Sequence, residues 1–108
     1  GACLNEIFHL SDRVDYHSSP AIKSCTDAIF NLSGTTQEEM DFLDIYSCFP
    51  SAVQIAINEL GIQADDPRDL TLTGGLPYFG GPGNAYVLNS MASMVKKLSM
   101  NLKVLLAS

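Results

Sequence analysis

The sequence has little of what membrane proteins, secreted proteins and nucleic-acid-binding proteins need. No apolar run approaches the roughly 18 residues of a membrane helix. No basic segment is followed by a short apolar one, as in a secretory signal. Only 6 Lys and Arg residues stand against 12 Asp and Glu, which gives a formal charge of −6. Because nucleic-acid binders usually present a basic face, we expect no nucleic acid as a partner. Because no long apolar run is present, we expect no membrane as a partner either.

Cysteine and histidine are also scarce. The 3 cysteines contain no Cys-x-x-Cys pair, and the 2 histidines complete no zinc pattern. An odd number of cysteines fits a reducing compartment better than a disulfide framework, so we predict a cytoplasmic location and no bound metal. The chain also lacks Gly-x-Gly-x-x-Gly and the lysine of a phosphate-binding loop. A dinucleotide or nucleoside triphosphate site is therefore not supported.

What remains is a globular pattern of alternating helices and strands. The chain has 108 residues and 46% apolar content, enough for one domain or part of a larger one. Apolar residues at helical spacing predict three helices, near 20–32, 51–60 and 84–99. Short apolar or β-branched runs predict three strands, near 42–47, 70–73 and 102–107. This alternation predicts an α/β fold with parallel strands and right-handed crossovers.

A glycine-rich stretch after the second predicted strand organises the chain. Residues 74–83 contain five glycines and two prolines, a density that predicts no regular element. Asn84 then stands where the N-cap of the last helix would be. A strand, a glycine-rich turn and a helix N-terminus often place backbone amides beside a ligand. A tight structural turn without a ligand is the alternative.

Two parallel strands would bring this stretch close to a second candidate segment. If the strands near 42–47 and 70–73 are parallel, residues 46–48 share the carboxyl edge of the sheet with the glycine-rich turn. Cys48 would lie there, just before a helix, in a position that favours reactive thiols. Neither histidine has a sequence reason to lie near it as a base. We therefore favour a packed small residue at Cys48.

Three parts of the sequence carry a family resemblance, namely residues 11–15 with 19–22, 44–53 and 73–84. They resemble the C-terminal half of thiolase-superfamily proteins, and most closely acetyl-CoA acetyltransferases and sterol-carrier-type thiolases. The resemblance implies a five-layer αβαβα fold built from two similar halves. Residues 1–108 would then form an incomplete C-terminal domain, a mixed and mainly parallel sheet with helices on both faces. The missing N-terminal half of the same parent chain would be a partner, and a homo-oligomer is left open.

The resemblance also implies an activity and a set of site residues. The activity is acyl transfer on acetyl-CoA or acyl-CoA thioesters in lipid metabolism, with the thioester as substrate and no bound cofactor. The family's Asn-Glu-Ala-Phe or His-Asp-Cys-Phe segment corresponds to Tyr46-Ser47-Cys48-Phe49. Its Gly-His-Pro segment corresponds to Gly80-Gly81-Pro82. Gly81 would thus replace the histidine that stabilises the thioester enolate, while Tyr46 would replace an asparagine or histidine donor.

The predicted site residues fall into two groups. The candidate catalytic residues are Tyr46, Cys48 and Asn89, with Asn89 as a substitute donor near the start of the last helix. The candidate substrate-binding residues are Ser47, Gly80, Gly81, Pro82, Gly83 and Asn84. The family's nucleophilic cysteine is expected in the N-terminal half, so we expect this part alone to be inactive. A non-catalytic protein that binds CoA esters on the same fold is the alternative, because the histidine is lost.

Overall fold

The computed structural model of the protein describes residues 9–107, with side chains from 9 to 101. Four α-helices occur in this range: α1 Pro20–Ser33, α2 Pro50–Leu60, α3 Leu76–Phe79 and α4 Tyr86–Ala107. Two 3-10 helices, Leu10–Asp12 and Gly83–Ala85, accompany them. No helix in the described part of the chain has both the length and the apolar character to cross a membrane.

The chain divides into two compact units, of which the first comprises Gly1–Asp41 and Phe49–Pro67. Its helices α1 and α2 pack against each other. The predicted start of α1 is confirmed, because proline occupies the first turn and the Ser19 hydroxyl accepts a hydrogen bond from the Ile22 amide at 3.4 Å. The helix ends at Gly34, whose φ of 68° gives a left-handed cap. Local cap residues therefore define the limits of α1.

A carboxylate on α2 joins the two helices of the first unit. The backbone amide of Ser19, the N-cap of α1, donates to Glu59 Oε1 at 2.7 Å. Ala56 in α2 and Ile62 just after it are buried apolar side chains. The first unit thus combines apolar burial with one charge-assisted hydrogen bond at the start of a helix.

The second unit comprises Phe42–Cys48 and Arg68–Ser108. The segments predicted as the first two strands meet there, because the Ile45 amide donates to the Leu70 carbonyl at 2.9 Å. Residues 9–107 nevertheless contain no β-strand, so the predicted sheet is not observed. A ladder requires repeated backbone pairing between neighbouring strands. The two segments share this backbone bond without forming such a ladder.

The third predicted strand, near 102–107, is wrong. Helix α4 continues through these residues to Ala107 and is 22 residues long. The segment is rich in leucine, with lysine and alanine, and these are strong helix formers. A helix satisfies its backbone hydrogen bonds within the segment, whereas a strand needs neighbours. The apolar run therefore extends the helix that precedes it.

The glycine-rich stretch contains a short helix that the sequence did not predict. Helix α3 forms between Gly75 and Gly80 although the density of breakers predicts no regular element. Pro77 lies in its first turn, where the missing proline amide costs no hydrogen bond. The Gly75 carbonyl accepts from the Phe79 amide at 2.9 Å and closes the turn. The glycines flank the helix and the proline lies in its first turn, so these residues do not prevent it.

Asn84 is not the N-cap of α4, which corrects a second prediction. It lies within the 3-10 helix Gly83–Ala85, and α4 begins at Tyr86. The Ala85 amide donates to the Pro82 carbonyl at 3.3 Å, and Gly83 has a φ of 61°. A tight 3-10 turn therefore forms first, and α4 starts after it.

We expect Glu59→Ala to lower the free energy of unfolding of the intact protein by about 1.5 kcal/mol, because it removes a hydrogen bond to a charged group. Asp65→Ala, which removes an exposed loop carboxylate, is the matched control and should change stability by less than about 0.5 kcal/mol. Urea unfolding measures both. Equal effects of the two substitutions would contradict the role of Glu59.

Candidate functional site

In the second unit, Ser47 contacts the glycine-rich stretch and Tyr46 contacts the first residue of α4. The half-buried Ser47 accepts a hydrogen bond at Oγ from the Leu76 amide, at the start of α3, over 3.3 Å. The Tyr46 ring packs edge-on against Tyr86, the first residue of α4, with ring centroids 4.8 Å apart. Phe79, the last residue of α3, packs edge-on against the same ring at 5.9 Å. The candidate segment therefore contacts the residues at both ends of the turn 76–86.

Asp44, which the sequence analysis did not place among the site residues, is the centre of this arrangement. Its Oδ1 accepts from the Thr71 hydroxyl at 2.5 Å, from the Leu72 amide at 2.9 Å and from the Thr73 amide at 3.3 Å. The Thr73 hydroxyl donates to the same oxygen at 3.2 Å. Its Oδ2 accepts from the Ser90 hydroxyl on α4. One carboxylate thus joins the 42–48 segment to the 71–73 loop and to α4.

These hydrogen bonds control the ionisation of Asp44. Burial raises the pKa of the carboxyl, but the hydrogen bonds from Ser90 and Thr71 and from the amides of Thr73 and Leu72 together outweigh burial. The pKa therefore lies below its ordinary value of 3.8. At neutral pH Asp44 is ionised and serves only as an acceptor.

Thr73 extends the network from Asp44 to Tyr86. The Thr73 hydroxyl oxygen lies 2.8 Å from the Tyr86 hydroxyl and accepts from the Gly75 amide at 3.2 Å. A threonine has one hydroxyl proton, and the ionised carboxylate is its strongest acceptor here. We therefore assign the Thr73 proton to Asp44, so that Tyr86 donates to Thr73. The resulting chain of hydrogen bonds runs from the carboxylate to the ring that packs against Tyr46.

The glycines of the glycine-rich stretch differ in whether the backbone angles and the surrounding space would allow a side chain. Gly75 has φ 79° and ψ 173°, a region that is essentially open to glycine alone, and a Cβ there would lie 2.6 Å from Ser47 Oγ. Gly80 has a similar backbone, φ 94° and ψ 171°, but open space around it. Gly81 has no positive φ, and the atom nearest to a Cβ added there would be Leu76 Cδ2, at 4.0 Å. A side chain at position 81 is therefore tolerated.

The other predicted site residues are more scattered. Cys48 is exposed, so its interpretation as a packed small residue is wrong. It lies in a bend just before Phe49, the N-cap of α2, and no strand forms there to bury it. Asn89 is half-buried in the first turn of α4, and the 80–84 stretch is exposed. In the described part of the chain, no hydrogen bond or ring contact joins Cys48 or Asn89 to Tyr46.

The sequence contains signals that mark individual members of the Asp44 cluster, although not their contacts with one another. Asp44 lies between Leu43 and Ile45 in an otherwise apolar run, where an unpaired carboxylate is costly. Thr71 and Thr73 alternate at a spacing of two, which places both hydroxyls on one side of an extended chain. Among the described side chains, no group of three His, Cys, Asp or Glu residues could hold a metal ion. The cluster consists of one carboxylate with hydroxyl and amide donors.

Comparison with protein-family models and with curated proteins gives no match. Comparison with solved structures gives a thiolase-like one. This is the crystal structure of a monomeric SCP2-thiolase like protein type 1 from Mycobacterium smegmatis, which is 38% identical in sequence with a TM-score of 0.76. The similarity covers 84% of this chain and 20% of that one. It supports a thiolase-like relationship and a thiolase-like fold for this chain, which spans one fifth of the length of that relative.

We expect the contribution of Asp44 to stability to depend on pH in the acid range. Because the pKa of Asp44 is lowered by folding, its contribution is complete above the ordinary value of 3.8 and is lost as the pH falls through the folded value. Asp44→Asn should lower the free energy of unfolding by about 1.5–3 kcal/mol at neutral pH. It should also reduce the acid dependence below about pH 4.

Urea unfolding of the intact protein from neutral to acid pH measures both effects. The control is Asp69→Asn, which changes an exposed carboxylate in the same unit. An unchanged acid dependence in Asp44→Asn would contradict the assigned role of the carboxylate.

The two glycines with similar backbones provide a matched pair of substitutions. Gly80→Ala should lower the free energy of unfolding by about 1–2 kcal/mol through backbone strain alone. Gly75→Ala should lower it by about 3 kcal/mol or more, because the added Cβ also meets the Ser47 hydroxyl. Thermal unfolding of both variants measures the difference. Equal losses of stability in the two variants would show that contact of the added Cβ with Ser47 does not lower the free energy of unfolding.

Proposed function

We propose that the intact protein containing this chain is a thiolase-like acyltransferase that acts on acetyl-CoA or acyl-CoA thioesters. The observation that carries the proposal is the 38% identity over 84% of the chain with an SCP2-thiolase like protein. The CoA thioester would be the substrate and no cofactor would be resident. The partner in this proposal is the remainder of the same parent protein, and the location is the cytoplasm.

The geometry of the second unit supports a role in recognising the thioester. In a thiolase-type Claisen step, negative charge develops on a thioester oxygen, and preorganised hydrogen-bond donors lower the barrier. Tyr46 is 49% exposed, and its hydroxyl is the side-chain donor in this proposal. In the exposed 80–84 stretch the Gly80 amide is bonded to the Leu76 carbonyl and Pro82 has no amide. Gly81, Gly83 and Asn84 therefore offer backbone amides just before a 22-residue helix. Gly81 offers no side chain where the family resemblance implies a histidine.

The second candidate function is non-catalytic binding of CoA esters. It is favoured by Gly81, because the position tolerates a side chain but has none. Backbone amides suffice for binding a charged or polar ligand group, whereas enolate stabilisation needs donors placed for the transition state. The two functions therefore differ in turnover and agree in binding.

Gly81→His provides the direct test. Losing one preorganised donor to a developing oxyanion typically costs on the order of 100- to 1000-fold in rate, so we expect the full-length protein to bind CoA esters while cleaving acetoacetyl-CoA slowly. Gly81→His should raise the rate of acetoacetyl-CoA thiolysis by up to about 100-fold, since the imidazole supplies the missing donor. Steady-state thiolysis and calorimetric binding of acetyl-CoA measure the two properties separately.

Gly81→Leu is the matched control, because it adds comparable bulk without a donor. It should leave thiolysis as slow as in the wild type. A wild-type rate typical of ordinary thiolases would show that another group does the work of the histidine and that the assignment of Gly81 is wrong. Binding without turnover in both the wild type and Gly81→His would favour the non-catalytic alternative, whereas an absence of CoA-ester binding would exclude both functions.

A further inference from the structure

We propose that Tyr86 is a positioning residue, which fixes the orientation of the Tyr46 ring and is itself held through Thr73 by Asp44. The inference rests on the proposed function, in which Tyr46 supplies a side-chain donor to the thioester. Tyr86 was not predicted as a site residue. All of the residues concerned belong to the second unit.

The packing of Tyr86 is the first observation. Tyr86 is buried, with 4% of the residue exposed, whereas Tyr46 and Phe79, whose rings lie against it, are 49% and 39% exposed. Both contacts are edge-on, with interplanar angles of 69° and 82°. Edge-to-face contacts between aromatic rings are directional. One buried ring therefore sets the orientation of two partly exposed ones.

The hydroxyl of Tyr86 is the second observation. It lies 2.8 Å from Thr73 Oγ1, and the same oxygen accepts from the Gly75 amide at 3.2 Å. Thr73 is in turn bonded to Asp44 through both its amide and its hydroxyl. The tyrosine is thus tethered to the loop that leads into α3. Packing alone would need only a phenylalanine at position 86, so the tether gives the hydroxyl a function of its own.

Together these contacts join both sides of the proposed site to the ring of Tyr86. On one side is Tyr46, two residues after Asp44 in the chain. On the other is Phe79, which directly precedes Gly80 and the exposed part of the turn. A donor contributes fully only when it is held within about 0.5 Å of its productive position. Loosening Tyr86 would therefore displace the Tyr46 hydroxyl relative to the turn.

The test uses the full-length protein and two substitutions of Tyr86. Tyr86→Leu removes the ring and the tether, and we expect kcat for acetoacetyl-CoA thiolysis to fall by about 10- to 100-fold with KM changed by less than about twofold. Tyr86→Phe keeps the ring and removes only the tether, so kcat should fall by about 3- to 10-fold. Tyr78→Phe is the control, because Tyr78 is 87% exposed on α3, the short helix that also contains Phe79. This substitution should leave kcat unchanged.

A double-mutant cycle separates positioning from a general structural role. If Tyr86 acts through Tyr46, then Tyr86→Leu should reduce kcat by less than about twofold in a Tyr46→Phe background. Losses that multiply independently would overturn the proposal. Tyr86→Phe in the same background gives the same test should Tyr86→Leu fail to fold.

A spectroscopic measurement does not depend on activity. With 3-fluorotyrosine placed at position 46, the ¹⁹F resonance should shift in Tyr86→Leu, broaden or shift less in Tyr86→Phe, and stay unchanged in Tyr78→Phe. An unchanged resonance in both Tyr86 variants would overturn the positioning role. If the protein shows no thiolysis but the resonance responds as expected, the acyltransferase proposal fails while the positioning of Tyr46 by Tyr86 stands.

Discussion

A partly buried carboxylate is stable only when its oxygens are well bonded, and Asp44 satisfies this requirement with donors from distant parts of the chain. Thr71, Leu72 and Thr73 are 27 to 29 residues away in sequence, and Ser90 is 46 residues away. This one carboxylate positions the loop that leads into the glycine-rich stretch. It also bonds to Ser90 on α4 and, through Thr73, holds the Tyr86 hydroxyl. Local secondary structure contributes little here, because neither 42–47 nor 70–73 forms a strand.

The parts of the fold that local chemistry determines were predictable from sequence. The helix predicted near 20–32 is observed as α1, which Ser19 and the following proline start and Gly34 ends, because caps act on neighbouring backbone groups. The 102–107 segment was not predictable in this way. Its composition favours a helix, but a short apolar run also forms buried strands, and periodicity alone does not distinguish the two. In the structure the preceding helix extends through it.

The candidate site shows the same difference between what the local sequence indicates and what distant contacts determine. The family resemblance nominated Tyr46 and Ser47, and the structure places both against residues of the 76–86 turn. The cluster of Asp44 and the ring of Tyr86 were missed, because their roles arise from contacts between segments far apart in the chain. The resemblance matched Gly80 to the family's glycine and Gly81 to its histidine, and in the structure only the backbone of Gly80 requires glycine. Coordinates separate a glycine needed for conformation from one that leaves space for a side chain.

The bonding of Asp44 has a consequence for solvent exchange. The amides of Leu72 and Thr73 are both bonded to a single side-chain oxygen. Backbone amides in helices and ladders exchange with solvent when secondary structure opens. These two amides become accessible instead when one carboxylate rotates or leaves its place. Their exchange rates therefore report jointly on the side chain of residue 44, so that deuterium uptake at two neighbouring backbone positions measures how often the loop is released from its anchor.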